Sequence, residues 1–443
     1  MKEQRSIPVG KVQRAAKFVT TGAKIGGNYI KHYTKKAFNP DLDREELDRD
    51  NAEDIYKSLS QLKGSALKMA QMMSMDKHAL PQAYRNKFIM AQYSAPPLSY
   101  PLVVKTFRKY FGQSPDQLFD SFTQQAVNAA SIGQVHQATK DGKTLAVKIQ
   151  YPGVADSVVS DLKLVRPIAV RMMNLPDKDL DVYFDEVKGK LLEETDYELE
   201  LRRSKEISAA CKRAIPDLAF PEYYEQYSSP RIITMDWLDG LHLDEFLKTN
   251  PPQAVRNRVG QALWDFYEFQ IHHLKQLHAD PHPGNFLLQA DGKVGIIDFG
   301  CVKELPLDFY EGYFQLVDRE VAANEAQMKA IFKDLQFLYD SDTPDEEAFF
   351  FDLFRNLLLL LAKPFHGDSF DFSDKAYFEE IFTTGERLSK MKELRESKVA
   401  RGSQHGLYLN RTYFGLYNIL HDLEAEIDTR RKDFTQQAIE VPA

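Results

Sequence analysis

The chain has very little cysteine and no long hydrophobic stretch. It contains two cysteines, Cys211 and Cys301, which are too few for a disulfide framework or a zinc site made of cysteines. The longest apolar run, residues 357–362, is much shorter than the roughly 18 residues that mark a membrane-spanning helix. The N-terminus lacks the apolar core of a secretory signal. We therefore expect a cytoplasmic protein that reaches a membrane only peripherally, if it reaches one at all.

The chain also lacks an overall excess of positive charge. Its 443 residues include 57 basic and 65 acidic side chains, so the formal net charge is −8. A protein that binds nucleic acid is often basic throughout, and this composition argues against that class. Hydrophobic residues make up 43% of the chain and aromatic residues 12%, which is enough for a folded core.

The charge is distributed unevenly along the chain. Residues 1–37, which we call the basic head, carry nine basic side chains and one acidic one, so they contribute +8 and leave −16 for the other 406 residues. Apolar residues from Val12 to Ile30 recur at roughly helical spacing. Two interpretations stay open. In the first, the helix is solvated or packs on the acidic body. In the second, it contacts anionic lipid headgroups through weak, salt-sensitive electrostatic attraction.

Changes in the hydrophobic pattern divide the chain into four segments, at 1–40, 41–125, 126–239 and 240–443. The second segment is predicted to be helical, because its apolar residues recur at steps of three and four. The third contains two strand-like runs joined by the turn signal Asp141-Gly142, and helical residues follow them. The fourth is predicted to be mostly helical, apart from a loop at 278–300.

The most informative stretch runs from His278 to Asn285 and is followed by Asp298-Phe299-Gly300. This order is typical of the catalytic loop and the metal loop of protein-kinase-like phosphotransferases. Asp280 would act as a base or orient a water, while Asn285 and Asp298 would hold a metal ion against nucleotide phosphates. His282 either orients this loop or is an ordinary loop histidine, and the sequence does not decide between the two.

A nucleotide-binding lobe is indicated upstream by Leu145-Ala146-Val147-Lys148. In protein kinases a strand lysine of this kind reaches the α- and β-phosphates and pairs with a glutamate on a helix. Two acidic residues, Glu194 and Asp196, follow some 46 residues on. We expect Glu194 to orient Lys148.

The loop expected to cover the phosphates is poor in glycine. Of the three glycine positions counted back from Val135, only Gly133 is a glycine, and Ala130 and Asn128 occupy the others. A methyl group restricts the backbone and limits how closely main-chain N–H groups approach phosphate. We therefore expect a nucleotide to bind differently from the way it binds an ordinary protein kinase, against Ala129, Ala130, Ser131, Gly133 and Gln134.

Several motifs outside this set resemble the UbiB (AarF) family of atypical kinases. An alanine-rich loop ends in Ser-Ile-Gly-Gln-Val-His at 131–136, and a Glu-x-Asp-Tyr segment spans 194–197, with Glu200 beyond it. A Lys-x-x-Gln helix matches Lys68 and Gln71, although Ala70 replaces the motif glycine and Asn128 replaces an alanine of the loop. The resemblance covers about residues 5–425, and residues 411–415 look like the family's C-terminal helices.

The resemblance implies a bilobal, protein-kinase-like α+β fold, mostly helical, with a helical N-terminal extension over the active-site cleft. Lys68, Gln71 and Glu200 would gate that cleft, with Lys68 paired to the acidic segment, and residues from Met235 to Leu238 resemble the hinge that would hydrogen-bond adenine. Members of the family bind adenine nucleotide with a divalent metal. Many are tied to isoprenoid quinone or lipid metabolism and to membranes.

We therefore expect an ATP-dependent phosphotransferase or ATPase that uses ATP or ADP with Mg²⁺ or Mn²⁺. A lipid or quinone-precursor ligand and peripheral contact of residues 1–37 with an anionic membrane are further expectations, and no nucleic-acid partner is expected. Two alternatives stay open. One is a small-molecule phosphotransferase of the aminoglycoside-kinase type, and the other is a nucleotide-sensing scaffold that binds ATP without turnover.

Overall fold

The structure is a computed structural model that describes residues 11–38, 45–62, 68, 83–84, 87, 98–129, 132–172, 177–391, 393–394, 397, 399, 401–432 and 434. The fold is α+β, and helices predominate. The chain divides into two compact units. The first comprises residues 1–201 and 222–237, and the second comprises residues 202–221 and 238–443.

The helices of the described residues are α1 (Lys11–Phe38), α2 (Glu45–Leu62), α3 (Tyr100–Phe111), α4 (Pro115–Leu118), α5 (Val154–Met172), α6 (Asp177–Glu194), α7 (Tyr197–Ala214), α8 (Leu243–Lys248), α9 (Gln253–Phe269), α10 (Leu307–Gln315), α11 (Arg319–Ala323), α12 (Glu325–Asp334), α13 (Pro344–Leu361), α14 (Lys375–Lys390) and α15 (Gln404–Asp422). The strands are β1 (Ser121–Phe122), β2 (Asn128–Ala129), β3 (Gly133–Lys140), β4 (Lys143–Gln150), β5 (Leu218–Ala219), β6 (Ile232–Asp236), β7 (Gln276–His278), β8 (Phe286–Leu288), β9 (Val294–Ile296), β10 (Val302–Glu304), β11 (Ser369–Asp371) and β12 (Glu426–Asp428).

The first unit contains an antiparallel sheet centred on the hairpin of β3 and β4. The turn residues Asp141 and Gly142 both have positive φ, 51° and 75°, as a two-residue hairpin turn requires. This turn sets the register, in which Val135 pairs with Lys148 on β4. One face of the sheet is apolar and packs against Val103 and Phe107 of α3. Lys148 therefore projects from the other face, since side chains alternate along a strand.

Helix α1, which contains most of the basic head, packs on α2. The hydroxyl of Thr21 donates to Ser58 Oγ at 2.7 Å, and Asn28 Nδ2 donates to Asp54 Oδ2 at 3.1 Å. Lys24 lies near Asp54 at 3.8 Å. These contacts show that α1 packs on an acidic neighbouring helix. This arrangement agrees with the first interpretation of the basic head. No helix in the described part of the chain is long and apolar enough to cross a membrane.

The second unit is mostly helical and has one large core around Trp264 of α9. After α9 the chain makes one π-helical turn, Gln270–Leu274, and Lys275 adopts a positive φ of 54°. This turn directs the chain into β7, which pairs with β10. Strands β8 and β9 pair with each other, and β5 joins β9. The loops that follow β7 and β9 carry the residues predicted to do chemistry.

Candidate functional site

A partly buried ion pair marks the polar face of the sheet in the first unit. The amine of Lys148 lies 2.6 Å from Glu200 Oε1, and the two side chains are 14% and 5% exposed. The same amine lies 5.3 Å from the centre of the Tyr197 ring. Glu200 and Tyr197 both belong to the first turn of α7. Since the attraction between charges strengthens away from water, this pair fixes a cation at one point on the sheet.

The predicted partner of Lys148 needs correction. We expected Glu194 in that role, and the structure gives the contact to Glu200, while Glu194 Oε1 lies 2.7 Å from the amine of Lys68. The reason is a break between two helices. Glu194 is the last residue of α6, and Asp196 Oδ1 accepts the N–H of Leu199 and so caps the start of α7. The new helix then turns Glu200 toward the sheet.

The contact of Lys68 with Glu194 is the one that the family resemblance implied for this lysine. The pair is largely shielded from water, with side chains that are 20% and 13% exposed. Gln71, the other residue of the Lys-x-x-Gln motif, lies outside the described residues, so its predicted role at the cleft stays a prediction.

The glycine-poor loop is described in part. Asn128 and Ala129 pair with Val135 and Gln134 as a short strand, β2. Ala130 and Ser131 lie outside the described residues. A methyl group on Gly133 would lie 2.7 Å from the carbonyl oxygen of Ile149 and 2.9 Å from Tyr197 Oη. The close packing of β3 against β4 and α7 is therefore sufficient to explain why this position is a glycine.

Gln134 was predicted to contact the nucleotide, and the structure gives its side chain another role. Gln134 is fully buried, its Oε1 accepts the N–H of Leu98 at 2.7 Å, and its Nε2 lies 2.8 Å from His136 Nε2. Because Val135 shares a face with Lys148, Gln134 points to the opposite face of the sheet. The predicted turn at 141–142 already implied this register, and strand alternation could have excluded the side chain of Gln134.

The hydrogen bonds around His136 determine its tautomer. Its Nδ1 lies 2.7 Å from the carbonyl oxygen of Thr123, which can only accept, so Nδ1 carries the proton. In the neutral ring, Nε2 of His136 then accepts from Nε2 of Gln134. The Oε1 atom of Gln134 accepts the N–H of Leu98. Burial lowers the pKa of His136. The chain of bonds is complete only while the imidazole is neutral.

The loop after β7 in the second unit brings Asp280 and Asn285 together. Asn285 Nδ2 donates to the carbonyl oxygen of Asp280 at 2.9 Å and approaches its carboxylate oxygen Oδ2 at 3.4 Å. The N–H of His282 donates to the same carbonyl at 2.7 Å. His282 Nδ1 accepts the N–H of Gly284 at 3.0 Å. His282 thus makes hydrogen bonds within the loop, and both interpretations of this histidine allow them.

Asp298 follows β9, and a backbone hydrogen bond of the preceding residue joins this stretch to the Asp280 loop. Its Oδ1 accepts the N–H of Gly300 at 2.8 Å. The N–H of Ile297 donates to the carbonyl oxygen of Asn285 at 3.2 Å. The catalytic-loop and metal-loop residues predicted from the sequence are thus connected by hydrogen bonds within one unit.

His278 joins the two loops, and sequence reasoning gave it no role. Its Nε2 lies 2.9 Å from the carbonyl oxygen of Asp298, so Nε2 is the donor, and Nδ1 can accept from the hydroxyl of Tyr267 at 3.4 Å. Burial and the charge of Asp280 raise the pKa of Tyr267 well above its usual value, so the phenol keeps its proton. The sequence signal that could have identified His278 was its position two residues before Asp280.

The donor atoms at these loops suit a hard divalent cation. Mg²⁺ prefers carboxylate and amide oxygens, which Asp298 and Asn285 both have. The nitrogen of the Asn285 side chain is engaged with Asp280, so its amide oxygen is the atom left for a metal. Among the described residues no group of three or more His, Cys, Asp or Glu side chains forms a metal site by itself. A metal ion here would therefore complete its shell with phosphate and water oxygens.

The predicted hinge residues lie on either side of residue 237, the last residue of the first unit along this stretch of the chain. Met235 pairs with Ala146 and so shares the sheet face of Lys148. Leu238 belongs to the second unit and packs close to Gly295 of β9. If Gly295 had a methyl group, that group would lie 3.3 Å from Cδ1 of Leu238. Their predicted contact with adenine stays a prediction.

Comparison with known proteins gives consistent results. Residues 90–332 match the family model described as ABC1 atypical kinase-like domain. The chain is 27% identical over 391 residues to the mitochondrial atypical kinase COQ8B of Danio rerio, a match that covers 86% of this chain and 62% of the relative. It is 26% identical over 396 residues to the probable serine/threonine-protein kinase abkA of Dictyostelium discoideum, with 84% and 68% covered.

A solved structure also resembles the chain, that of the Rv3197–erythromycin complex from Mycobacterium tuberculosis. The TM-score is 0.58 at 25% sequence identity, and the match covers 89% of this chain and 97% of that one. The chain spans somewhat less than two thirds of the length of the Danio rerio relative.

The neutral state of His136 predicts a pH-dependent stability. The pKa of His136 is lower in the folded protein than in the unfolded chain. Its contribution to the free energy of unfolding is therefore complete above about pH 6.5 and is lost at lower pH, because the unfolded chain takes up the proton first. We expect the difference in unfolding midpoint between pH 7.5 and pH 5.5 to be smaller in His136→Gln than in the wild type. His273→Gln, at an exposed position, is the control. An unchanged pH dependence in His136→Gln would contradict the neutral state of His136.

Proposed function

The chain belongs to the ABC1 atypical kinase-like family, also known as UbiB or AarF, and we propose that it binds ATP with Mg²⁺ or Mn²⁺ and either hydrolyses it or transfers its terminal phosphoryl group. The observation that carries this proposal is the Lys148–Glu200 ion pair at 2.6 Å. A lysine held by a glutamate on the polar face of a sheet is the arrangement that positions nucleotide phosphates in protein kinases.

In the proposed reaction Lys148 contacts the α- and β-phosphates, and Glu200 keeps its amine in position. Asp298 and Asn285 hold the metal ion, which neutralises phosphate charge when bound. Asp280 accepts the proton of the attacking hydroxyl group or orients a water molecule. The hydrogen bonds from Asn285 to Asp280 support these roles, because they hold the base and the metal-binding amide at a fixed spacing.

The remaining parts of the proposal rest on the family. Ala129, Ala130, Ser131 and Gly133 cover the phosphates through their backbone. Lys68, with Gln71, controls access to the nucleotide, and the Lys68–Glu194 pair supports this because it joins the Lys-x-x-Gln motif to the acidic segment. We propose that the activity serves isoprenoid quinone or lipid metabolism, and that ADP is the product.

Peripheral membrane contact is a further part of the proposal. The side chains of Val19, Ile30 and Tyr33 are 72%, 71% and 62% exposed. Steps of eleven and three residues place them on one face of α1. The buried Thr21 and His32 lie on the opposite face. A helix that lies in the membrane interface combines such an apolar face with nearby lysines.

The metal assignment can be tested at Asp298. We expect MgATP to raise the unfolding midpoint of the wild type, because a ligand at 100 times its Kd adds about 2.7 kcal/mol to stability. Asp298→Asn should lose most of this stabilisation, and EDTA should have the same effect on the wild type. Asp308→Asn, at an exposed position in the same unit, is the matched control. Equal stabilisation of wild type and Asp298→Asn by MgATP would refute the assignment.

The two glutamates can be distinguished by a matched pair of substitutions. Glu200→Gln removes the charged partner of Lys148, whereas Glu194→Gln removes that of Lys68. We expect Glu200→Gln to weaken ATP affinity about tenfold or more relative to Glu194→Gln, as fits the loss of a charge-assisted hydrogen bond of about 1.5–3 kcal/mol. Isothermal titration of both variants with MgATP measures this. The reverse ranking would restore Glu194 as the partner of Lys148.

The membrane proposal can be tested on α1 itself. We expect Val19→Asp/Ile30→Asp to cosediment less with phosphatidylserine vesicles than the wild type, because each charge opposes burial among lipid chains. Deletion of residues 1–37 should have at least as large an effect. Leu307→Asp changes an exposed leucine of the second unit and is the control. Unchanged cosedimentation of both head variants would leave the basic head without a lipid role.

A further inference from the structure

The loop that carries Asp280 lies directly against the C-terminal helix α15 at a glycine. A methyl group on Gly415 would overlap Cγ of Pro281, and it would lie 3.0 Å from Cβ and 3.3 Å from the carbonyl oxygen of the same proline. Pro281 is buried. The helix backbone thus reaches Pro281 at a distance that only glycine permits.

Helix α15 cannot move back to make room, because it is fixed on its other sides. The hydroxyl of Tyr413 donates to Glu268 Oε1 of α9 at 2.8 Å, and both groups are buried. The hydroxyl of Tyr417 donates to the carbonyl oxygen of Leu361 at 2.9 Å. A methyl group on Gly260 of α9 would lie 3.2 Å from Leu420, so the two helices are already in close contact.

The loop is the side that would give way, and its displacement would reach the reacting groups. Pro281 stands between Asp280 and His282. The carbonyl oxygen of Asp280 accepts from both the N–H of His282 and the side chain of Asn285. A shift of Pro281 therefore moves Asp280 relative to Asn285. Displacements of about 1 Å at a reacting group can slow a reaction about 100-fold.

We propose that Gly415 is a positioning residue, which lets α15 seat the catalytic loop through its contact with Pro281 and so sets the place of Asp280. The inference rests on the proposed function, since it assigns Asp280 a part in ATP turnover. It gives a role to one residue of the segment 411–415, whose similarity to the family's C-terminal helices carried no function by itself.

A second glycine of the same helix provides a matched control. A methyl group on Gly406 would lie 3.5 Å from Ser403 Oγ and 3.7 Å from the Phe309 ring, which are ordinary van der Waals distances. Alanine favours a helix over glycine at both positions. Gly406→Ala and Gly415→Ala therefore make the same chemical change in one helix and differ in what the methyl group meets.

The experiment compares MgATP hydrolysis by the full chain in the wild type, Gly415→Ala and Gly406→Ala. We expect kcat to fall about 10- to 100-fold in Gly415→Ala, with KM for ATP and MgATP binding within about twofold of the wild type, because the lysine and its glutamate are untouched. Gly406→Ala should keep wild-type kcat. Equal kcat in the two alanine variants, or a loss in Gly415→Ala that lies in KM alone, would overturn the inference.

A rescue separates positioning from general instability. Pro281→Ala removes the Cγ atom that the new methyl group would overlap. We expect Gly415→Ala/Pro281→Ala to have a higher kcat than Gly415→Ala, or, if Gly415→Ala does not fold, to recover folded protein. No recovery of either kind would count against the contact. Absence of both MgATP binding and ATP hydrolysis in the wild type, with all variants folded, would instead refute the proposed function on which the inference rests.

Discussion

The ion pair of Lys148 and Glu200 is the interaction on which the candidate site of the first unit depends. A lysine amine projecting from a sheet has many rotamers, and a carboxylate at 2.6 Å selects one of them. The sheet can carry this charge because its opposite face is closed by an apolar layer on α3. Two polar side chains on that closed face, Gln134 and His136, satisfy each other and the backbone. The polar chemistry is thereby confined to one face.

In the second unit the corresponding constraint acts on a loop. The segment from Asp280 to Asn285 contains two prolines, whose rings fix φ, and contacts with its surroundings hold it in place. His278 supplies a polar contact, joining the loop to the carbonyl oxygen of Asp298. Gly415 supplies a steric one, through the bare backbone of a helix. Both contacts help to hold the loop that carries the carboxylate of Asp280 and the amide of Asn285.

The sequence predicted those parts of the site that depend on neighbours in the chain. The turn at Asp141-Gly142 and the two strands beside it follow from local turn chemistry and are present. Asp280 and Asn285 are five residues apart in one loop, and their contact needs no distant partner. The kinase-like fold and the family followed from such motifs and are confirmed by the family model. The side chain of Gln134 lies on the closed face of the sheet, as strand alternation could have shown. The predicted contact of Gln134 with nucleotide stays a prediction.

What the sequence determined by itself was therefore the set of chemical groups and their local order. Residues 194–200 carry four carboxylates, and the sequence offered Glu194 and Asp196 as partners for Lys148. Only the tertiary structure decided that Glu194 faces Lys68, Asp196 caps a helix and Glu200 faces Lys148. The choice depends on where one helix ends and the next begins, because a break resets the direction of every later side chain. The contact of Gly415 with Pro281, 134 residues apart in the chain, likewise exists only in the folded protein.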